Sequence, residues 1–264
     1  MSKNIAIIGG GNLGTAIADG LLKSKFCKPK EITITKRNLS TLSDLKEKGV
    51  NVSSDNAEAV RNSSLVILAV KPYQVSDVIN SFKNELDEDH ILVSVVTGVL
   101  ISEIATLTEK KLPIFRAMPN TAIAIRESIT CLSYQNSSDK QISFVKDLFL
   151  TVGKVTVIDE KLMEAATILG ACGTAYAMRY IRANIQGGIE IGFDAATASL
   201  IAAQTVKGAA ELLLQKGTHP EQEIDKVTTP KGCTIAGLNE MEHRGFSSSL
   251  IKGIAVSYQK IAKD

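Results

Sequence analysis

The chain has no tryptophan, and only four cysteines and three histidines among its 264 residues. Cys27, Cys131, Cys172 and Cys233 are scattered, with no C-x-x-C pair and no histidine pair beside them. This excludes a disulfide framework and a zinc-type ligand set, and reads as the reduced thiols of a cytoplasmic protein. His90, His219 and His243 are equally dispersed, so no metal site is expected. No apolar run approaches the ~20 residues that span a bilayer, and there is no low-complexity segment or repeat. Charge of one sign is also missing: a net charge of +2 gives no reason to expect nucleic acid or an anionic membrane as partner. A strand-like run begins already at Ile5, so no signal or transit peptide is expected. What is present, 44% hydrophobic and 22% charged residues, is the composition of a soluble globular protein, and 264 residues suit two domains.

The organising stretch is KNIAIIGGGNLG, from Lys3 to Gly14. Ile5, Ala6, Ile7 and Ile8 form a continuous apolar run, as in a strand buried on both faces of a parallel sheet. It leads through glycines into residues 15–22, where Ala18, Leu21 and Leu22 follow helical spacing. This is G-x-G-x-x-G between a strand and a helix, the context in which that pattern indicates a dinucleotide site. Gly9 permits the tight turn, Gly11 lets a pyrophosphate approach the backbone, and Gly14 allows close helix–strand packing. Asn12 and Leu13 lie between them, at a helix N-terminus whose free N–H groups favour phosphate.

Downstream, strand-like runs at 31–35, 50–52, 64–70, 91–96, 112–118, 129–134 and 152–158 alternate with helical stretches at 39–48, 56–62, 73–82 and from Ile101. This alternation predicts an α/β fold with a mostly parallel, doubly wound Rossmann-type sheet. After Asp159 the texture becomes helical and rich in small residues. Residues 161–191 carry Met178, Ile181, Ile185 and Ile189 at helical spacing. Residues 194–215, with Asp194 as N-cap, carry Ile201, Thr205, Ala209 and Leu212. Residues 248–263 carry Leu250, Ile251, Ile254, Ala255, Tyr258 and Ile261. The expected division is therefore a dinucleotide-binding domain over 1–159 and an all-helical domain over 160–264. Three such helices make a thin core, so their apolar stripes are expected to continue against a second subunit, giving at least a homodimer.

Sites that prefer NAD carry an acid about 20 residues beyond the glycines, at the end of the second strand, for the ribose 2′-OH. Here the stretch reads Thr35-Lys36-Arg37-Asn38, with no carboxylate. Two cations suit a 2′-phosphate, so NADPH is expected, with NADH less preferred. The second unusual stretch is VTTPKGCTIAGL, from Val227 to Leu238. Pro230 extends the chain before it, Gly232 turns it, and a helix is expected from Thr234 to His243, ending at Gly245. The backbone N–H groups of Gly232, Cys233 and Thr234, with the Thr234 hydroxyl, would then face a small carboxylate. An N-cap threonine on a surface helix accounts for the same local pattern.

Four motifs in order, IGGGNLG at 8–14, LAVKP at 68–72, RAMPNT at 116–121 and VTTPKGCTIAGL, make the whole chain resemble the Δ1-pyrroline-5-carboxylate reductase family, which carries out the last step of proline synthesis. The resemblance implies that residues 9–14 hold the pyrophosphate, Lys36 and Arg37 the 2′-phosphate, and Asn56 the adenosine ribose region. Ala69, Val70, Lys71 and Pro72, with Val95, Val96 and Thr97, would line the cofactor toward the nicotinamide, near Met118, Pro119 and Asn120. Gly232, Cys233 and Thr234 would take the substrate carboxylate and ring, with Val227 and Thr229 in the same loop and helices of a partner subunit completing the pocket. The implied chemistry is hydride transfer to the C=N carbon of a cyclic imine. A protonated iminium is already electrophilic, so the enzyme chiefly aligns two rings. Thr234 is the candidate for the hydrogen bond to the ring nitrogen.

Two departures from the family pattern stand out. Lys231 replaces a usual glycine, and GACGTAY at 170–176 replaces a run that is usually Ser-Gly-Ser-Gly-Pro-Ala-Tyr. Two other readings fit part of the chain. A 3-hydroxyacid dehydrogenase also joins a Rossmann half to a helical half, but it carries a catalytic lysine where residues 175–184 offer only Arg179 and Arg182. A non-catalytic NADPH-binding sensor would keep the glycine loop and tolerate both departures.

Overall fold

The structure, a computed structural model, describes residues 4–261. Lys3 and the last residues of the expected helix over 248–263, Ala262 and Lys263, lie outside the described residues. Eight strands form one sheet: β1 Ile5–Ile8, β2 Ile32–Thr35, β3 Asn51–Ser53, β4 Leu65–Leu68, β5 Ile91–Ser94, β6 Ile114–Met118, β7 Ser128–Gln135 and β8 Gly153–Val157. Their order is β3-β2-β1-β4-β5-β6-β7-β8. β1 to β6 pair in parallel, β6 pairs with β7 antiparallel, and β8 is parallel to β7. The fold is thus α/β with a mostly parallel sheet. The chain turns from one side of β1 to the other between β3 and β4, which puts a switch point at the carboxyl ends of β1 and β4.

The apolar strands are sealed on both faces. Ile5 and Ile7 enter one core with Ile17, Leu21, Val145 and Phe149 from the helices Asn12–Ser24 and Asp139–Leu150. Ala6 and Ile8 enter the other, with Val60, Ile79 and Ile104 from Asn56–Arg61, Val75–Asn80 and Ile101–Thr108. Two covered faces explain why these strands read as continuous apolar runs rather than alternating ones. The helix Asp139–Leu150 was not foreseen. Its marker is a capping box in which Ser138 accepts from the Gln141 N–H and Gln141 accepts from the Ser138 N–H.

Packing divides the chain into two compact units, the first reaching Ala171 and the second covering Cys172–Lys260. The change in sequence texture at Asp159 comes earlier, because residues 160–171 still pack on β6 through Met163, which joins Met118 and Cys131. Beyond that point the helices are Gly173–Glu190, Ala195–Lys216, Pro220–Lys226, Cys233–His243 and Phe246–Ile261. Beyond the three long stretches and the helix ending before Gly245, all of them expected, there is the short Pro220–Lys226, announced by His219 and Gln222 in a capping box, with proline at its first position. Asp194 is the N-cap of Ala195–Lys216, accepting from the N–H groups of Ala196 and Thr197, both at 3.0 Å. Among the described residues of this unit, only Ala198 and Ala202 are buried apolar side chains. No helix among the described residues is long and apolar enough to cross a membrane.

Candidate functional site

The glycine loop follows β1 at the switch point. Gly9 has φ +114°, and a Cβ there would collide with the Ala69 carbonyl, so only glycine fits. The N–H groups of Gly9 and Gly10 both donate to the Thr35 carbonyl, at 3.2 and 2.7 Å, which pins the loop to the end of β2. Sequence reasoning missed this role of Gly10 and Thr35, since it depends on strand pairing. Gly11 is the N-cap of Asn12–Ser24 and offers no capping side chain, while a Cβ on it would meet nothing within 4 Å. No side chain caps the first-turn N–H groups of that helix. Asn12 and Leu13 lie in its first turn, so the helix starts three residues before Thr15. Gly14 lies under the turn, where a Cβ would strike the Gly9 carbonyl oxygen.

The other expected cofactor residues lie at the same carboxyl end of the sheet. Lys36 and Arg37 follow β2; the Lys36 N–H donates to the Ser53 carbonyl at 3.1 Å, and Arg37 is exposed. Ala69 continues from β4, its N–H donating to the Ile8 carbonyl at 2.8 Å, with Val70 beside Gly9. Lys71 and Pro72 follow, both exposed. After β5, the Val95 N–H donates to the Leu68 carbonyl at 3.0 Å, Val96 is buried, and Thr97 is half-buried. Met118 and Pro119 are buried at the end of β6. Asn120 is committed to the fold: its Oδ1 accepts from the Ala122 N–H and its Nδ2 donates to the Gly170 carbonyl, both at 3.0 Å. Asn56 opens the helix after β3, and its Nδ2 donates to Ser81 Oγ at 3.0 Å. These residues fit a bound dinucleotide phosphate: the loop is open where it would approach, the helix end is uncapped, and no carboxylate follows β2.

In the second unit, Gly232 is the N-cap of Cys233–His243 and again supplies no capping side chain. The sequence suggests that its own N–H faces a carboxylate, but in the structure that N–H donates to the Thr229 carbonyl at 2.9 Å. The N–H groups of Cys233 and Thr234 fall in the first turn, where no side chain caps them. Cys233, Thr234 and Thr229 are exposed, and Val227 is 64% exposed. Glycine capping is a departure here, because Asp139–Leu150 and Ala195–Lys216 are capped by Ser138 and Asp194. Asn12–Ser24 and Cys233–His243, each with a glycine at its N-cap, carry the two motifs, and neither has an acid in its first turn. Among the described residues no cluster of His, Cys, Asp and Glu could hold a metal ion.

Residues 160–264 match the family model for pyrroline-5-carboxylate reductase dimerisation, and residues 4–98 match that for NADP oxidoreductase, coenzyme F420-dependent. The chain is 50% identical to pyrroline-5-carboxylate reductase 1 of Dictyostelium discoideum, over 98% of this chain but only 49% of that protein. It is 44% identical to pyrroline-5-carboxylate reductase 2 of the same organism, over 99% of this chain and 93% of that one. Among solved structures, the Plasmodium falciparum pyrroline carboxylate reductase with NADP bound superposes with a TM-score of 0.89 at 25% identity, covering 98% of this chain and 96% of that one.

Proposed function

The chain belongs to the pyrroline-5-carboxylate reductase family, and from that membership we propose that it reduces Δ1-pyrroline-5-carboxylate to L-proline with NADPH. It is an NAD(P)-dependent oxidoreductase acting on an imine. Residues 1–159 serve as the cofactor domain and 160–264 as the substrate and dimerisation domain. The chain works as a homodimer or larger homo-oligomer in the cytoplasm, on a small-molecule substrate, with neither nucleic acid nor membrane as partner.

The observation that carries this reading is the pair of helices whose N-caps are glycines, Gly11 and Gly232. A helix end without a capping side chain keeps its orphan N–H groups for an anion. At Asn12–Ser24 the anion is the pyrophosphate, with Lys36 and Arg37 on the 2′-phosphate. At Cys233–His243 it is the substrate carboxylate, accepted by the N–H groups of Cys233 and Thr234. Val227 and Thr229 flank that carboxylate. Asn56, residues 69–72 and 95–97, and Met118, Pro119 and Asn120 complete the cofactor wall.

The bound nicotinamide supplies the hydride. The chain's own part is alignment: it holds the imine acid by its carboxylate, and the Thr234 hydroxyl oxygen accepts a hydrogen bond from the protonated ring nitrogen. The carbon of the N-protonated C=N bond would gain the hydride, the π electrons would return to the nitrogen as a lone pair, and the nitrogen keeps its proton, so no buried acid or nucleophile is needed. The hydroxyacid reading lacks its lysine, since Gly173–Glu190 carries none.

The test follows absorbance of the reduced nicotinamide when the chain meets NADPH and the imine. The expected result is oxidation that slows about a hundredfold or more in Thr234→Ala, about 2.7 kcal/mol of transition-state stabilisation. Oxidation unaffected by that change would move the catalytic contact elsewhere. NADPH binding without oxidation would leave the sensor reading.

A further inference from the structure

Arg116, on β6, is a charged side chain sealed inside the first unit at 0% exposure. Its Nη2 donates to Glu164 Oε1 at 2.7 Å and its Nη1 to Glu160 Oε1 at 3.4 Å. The same Glu160 oxygen accepts the Ile101 N–H at 2.8 Å, so this carboxylate is itself held from the helix after β5. Burying a guanidinium is costly, and two carboxylates offset that cost only while they stay in place. The reduction proposed above has no step that uses this charge.

Its place on the strand shows what it is tied to. Side chains alternate faces along a strand, so Arg116 and Met118 share one face while Phe115 and Ala117 enter the core on the other. Arg116, Met118 and Asn120 all reach the same stretch of chain. Arg116 pairs with Glu160 and Glu164. Met118 packs with Met163, against Ala166 and Ala171. Asn120 donates to the Gly170 carbonyl. That stretch ends in a π-helical turn, Thr167–Cys172. Such turns are rare and of poor intrinsic stability, so their geometry is imposed by what they are fastened to.

We propose that Arg116 is a positioning residue: held by Glu160 and Glu164, it fixes residues 160–170 against β6 and thereby sets the orientation of Met118, Pro119 and Asn120 toward the nicotinamide ring. This rests on the cofactor assignment made above. Hydride transfer is sensitive to small misplacements of the donor ring, whereas dinucleotide affinity is spread over many contacts. Loss of the clamp therefore lowers turnover more than binding.

The experiment compares the full chain with Glu164→Ala and Glu164→Asp, measuring kcat, KM for the imine, the Kd of NADPH and the emission of bound NADPH. With no tryptophan in the chain, that emission reports the nicotinamide surroundings without indole interference. Glu164→Ala is expected to lower kcat about tenfold or more, change Kd and KM less than about threefold, and shift the emission, and Glu164→Asp to recover most of the loss. A folded Glu164→Ala protein with wild-type kcat and emission would overturn the proposal. If that variant does not fold, Glu160→Gln takes its place, since it leaves the shorter pair to Glu164 intact. A kcat lowered at unchanged NADPH Kd supports the clamp, and an unchanged kcat overturns it. Should the wild type bind NADPH without oxidising it, the reaction proposal falls, and the emission comparison alone decides the clamp.

Discussion

The N–H of Gly232 donates to the carbonyl oxygen of Thr229 at 2.9 Å, closing a turn whose third residue, Lys231, sits at φ +59°. Proline at the second position and a left-handed third residue are the pattern of a type II turn, in which glycine is favoured at the third place. Lysine there is strained by roughly 1–2 kcal/mol. Lys231→Gly is therefore expected to raise stability by about 1 kcal/mol, since glycine gives back part of the gain as unfolded-chain entropy. For a chain of this size that is a rise of roughly 2–4 °C in Tm, read by thermal unfolding. An unchanged or lower Tm would show that the lysine is at ease.

We propose Lys36 and Arg37 as the cations that meet a 2′-phosphate; the backbone of Lys36 is fixed by its bond to Ser53. Charge-assisted hydrogen bonds contribute about 1.5–3 kcal/mol each. Replacing both residues with alanine is expected to raise KM for NADPH about a hundredfold while leaving KM for NADH nearly unchanged. Steady-state kinetics with each cofactor decide the matter: an equal effect on both would mean that these cations do not read the phosphate.

Glu223 shows where the second unit is sensitive to acid. Lys226 and Thr218 donate to its carboxylate at 2.6 and 2.8 Å, and Lys216 lies at 3.4 Å. These bonds lower its pKa from 4.5 to about 2. A depressed carboxyl pKa stabilises the fold above the unfolded value and ceases to do so as pH falls through the folded one. The advantage of the wild type over Glu223→Gln should therefore be complete above pH 4.5 and shrink toward pH 2. Denaturant unfolding of both proteins across that range measures it; a constant difference would contradict the linkage.

The apolar surface of the helical unit has a consequence for assembly. Leu200 and Leu214 are each 71% exposed, and Ile251 is 67% exposed. Ile251→Glu is expected to shift the protein toward a smaller species in analytical ultracentrifugation, because a carboxylate in a closing apolar interface carries a desolvation penalty of several kcal/mol. An unchanged sedimentation coefficient would take Ile251 out of the interface.

Much of the first unit was legible because its signals are local. A buried parallel strand needs an unbroken apolar run, and the turn after β1 needs glycine wherever φ is positive or a carbonyl lies too close for a Cβ. Asp194 could be read as a cap for the same reason, since its bonds reach only two and three residues along the chain. The helix Asp139–Leu150 was missed although Ser138 and Gln141 announce it, so the signal was present and unused. The Gly232 N–H was misjudged because its partner depends on the left-handed turn at Lys231, where the sequence offered no glycine.

The sequence by itself determined the order of strands and helices, the glycine loop, the absence of an acid after β2 and the identity of the loop before Cys233. These follow from backbone preferences and short-range periodicity. Only the tertiary structure decided the reversal of β7, the pinning of the glycine loop by Thr35, and the burial of Arg116. The physical reason is distance along the chain: Arg116 meets its carboxylates 44 and 48 residues away, and no local pattern encodes a charge whose partners arrive by folding.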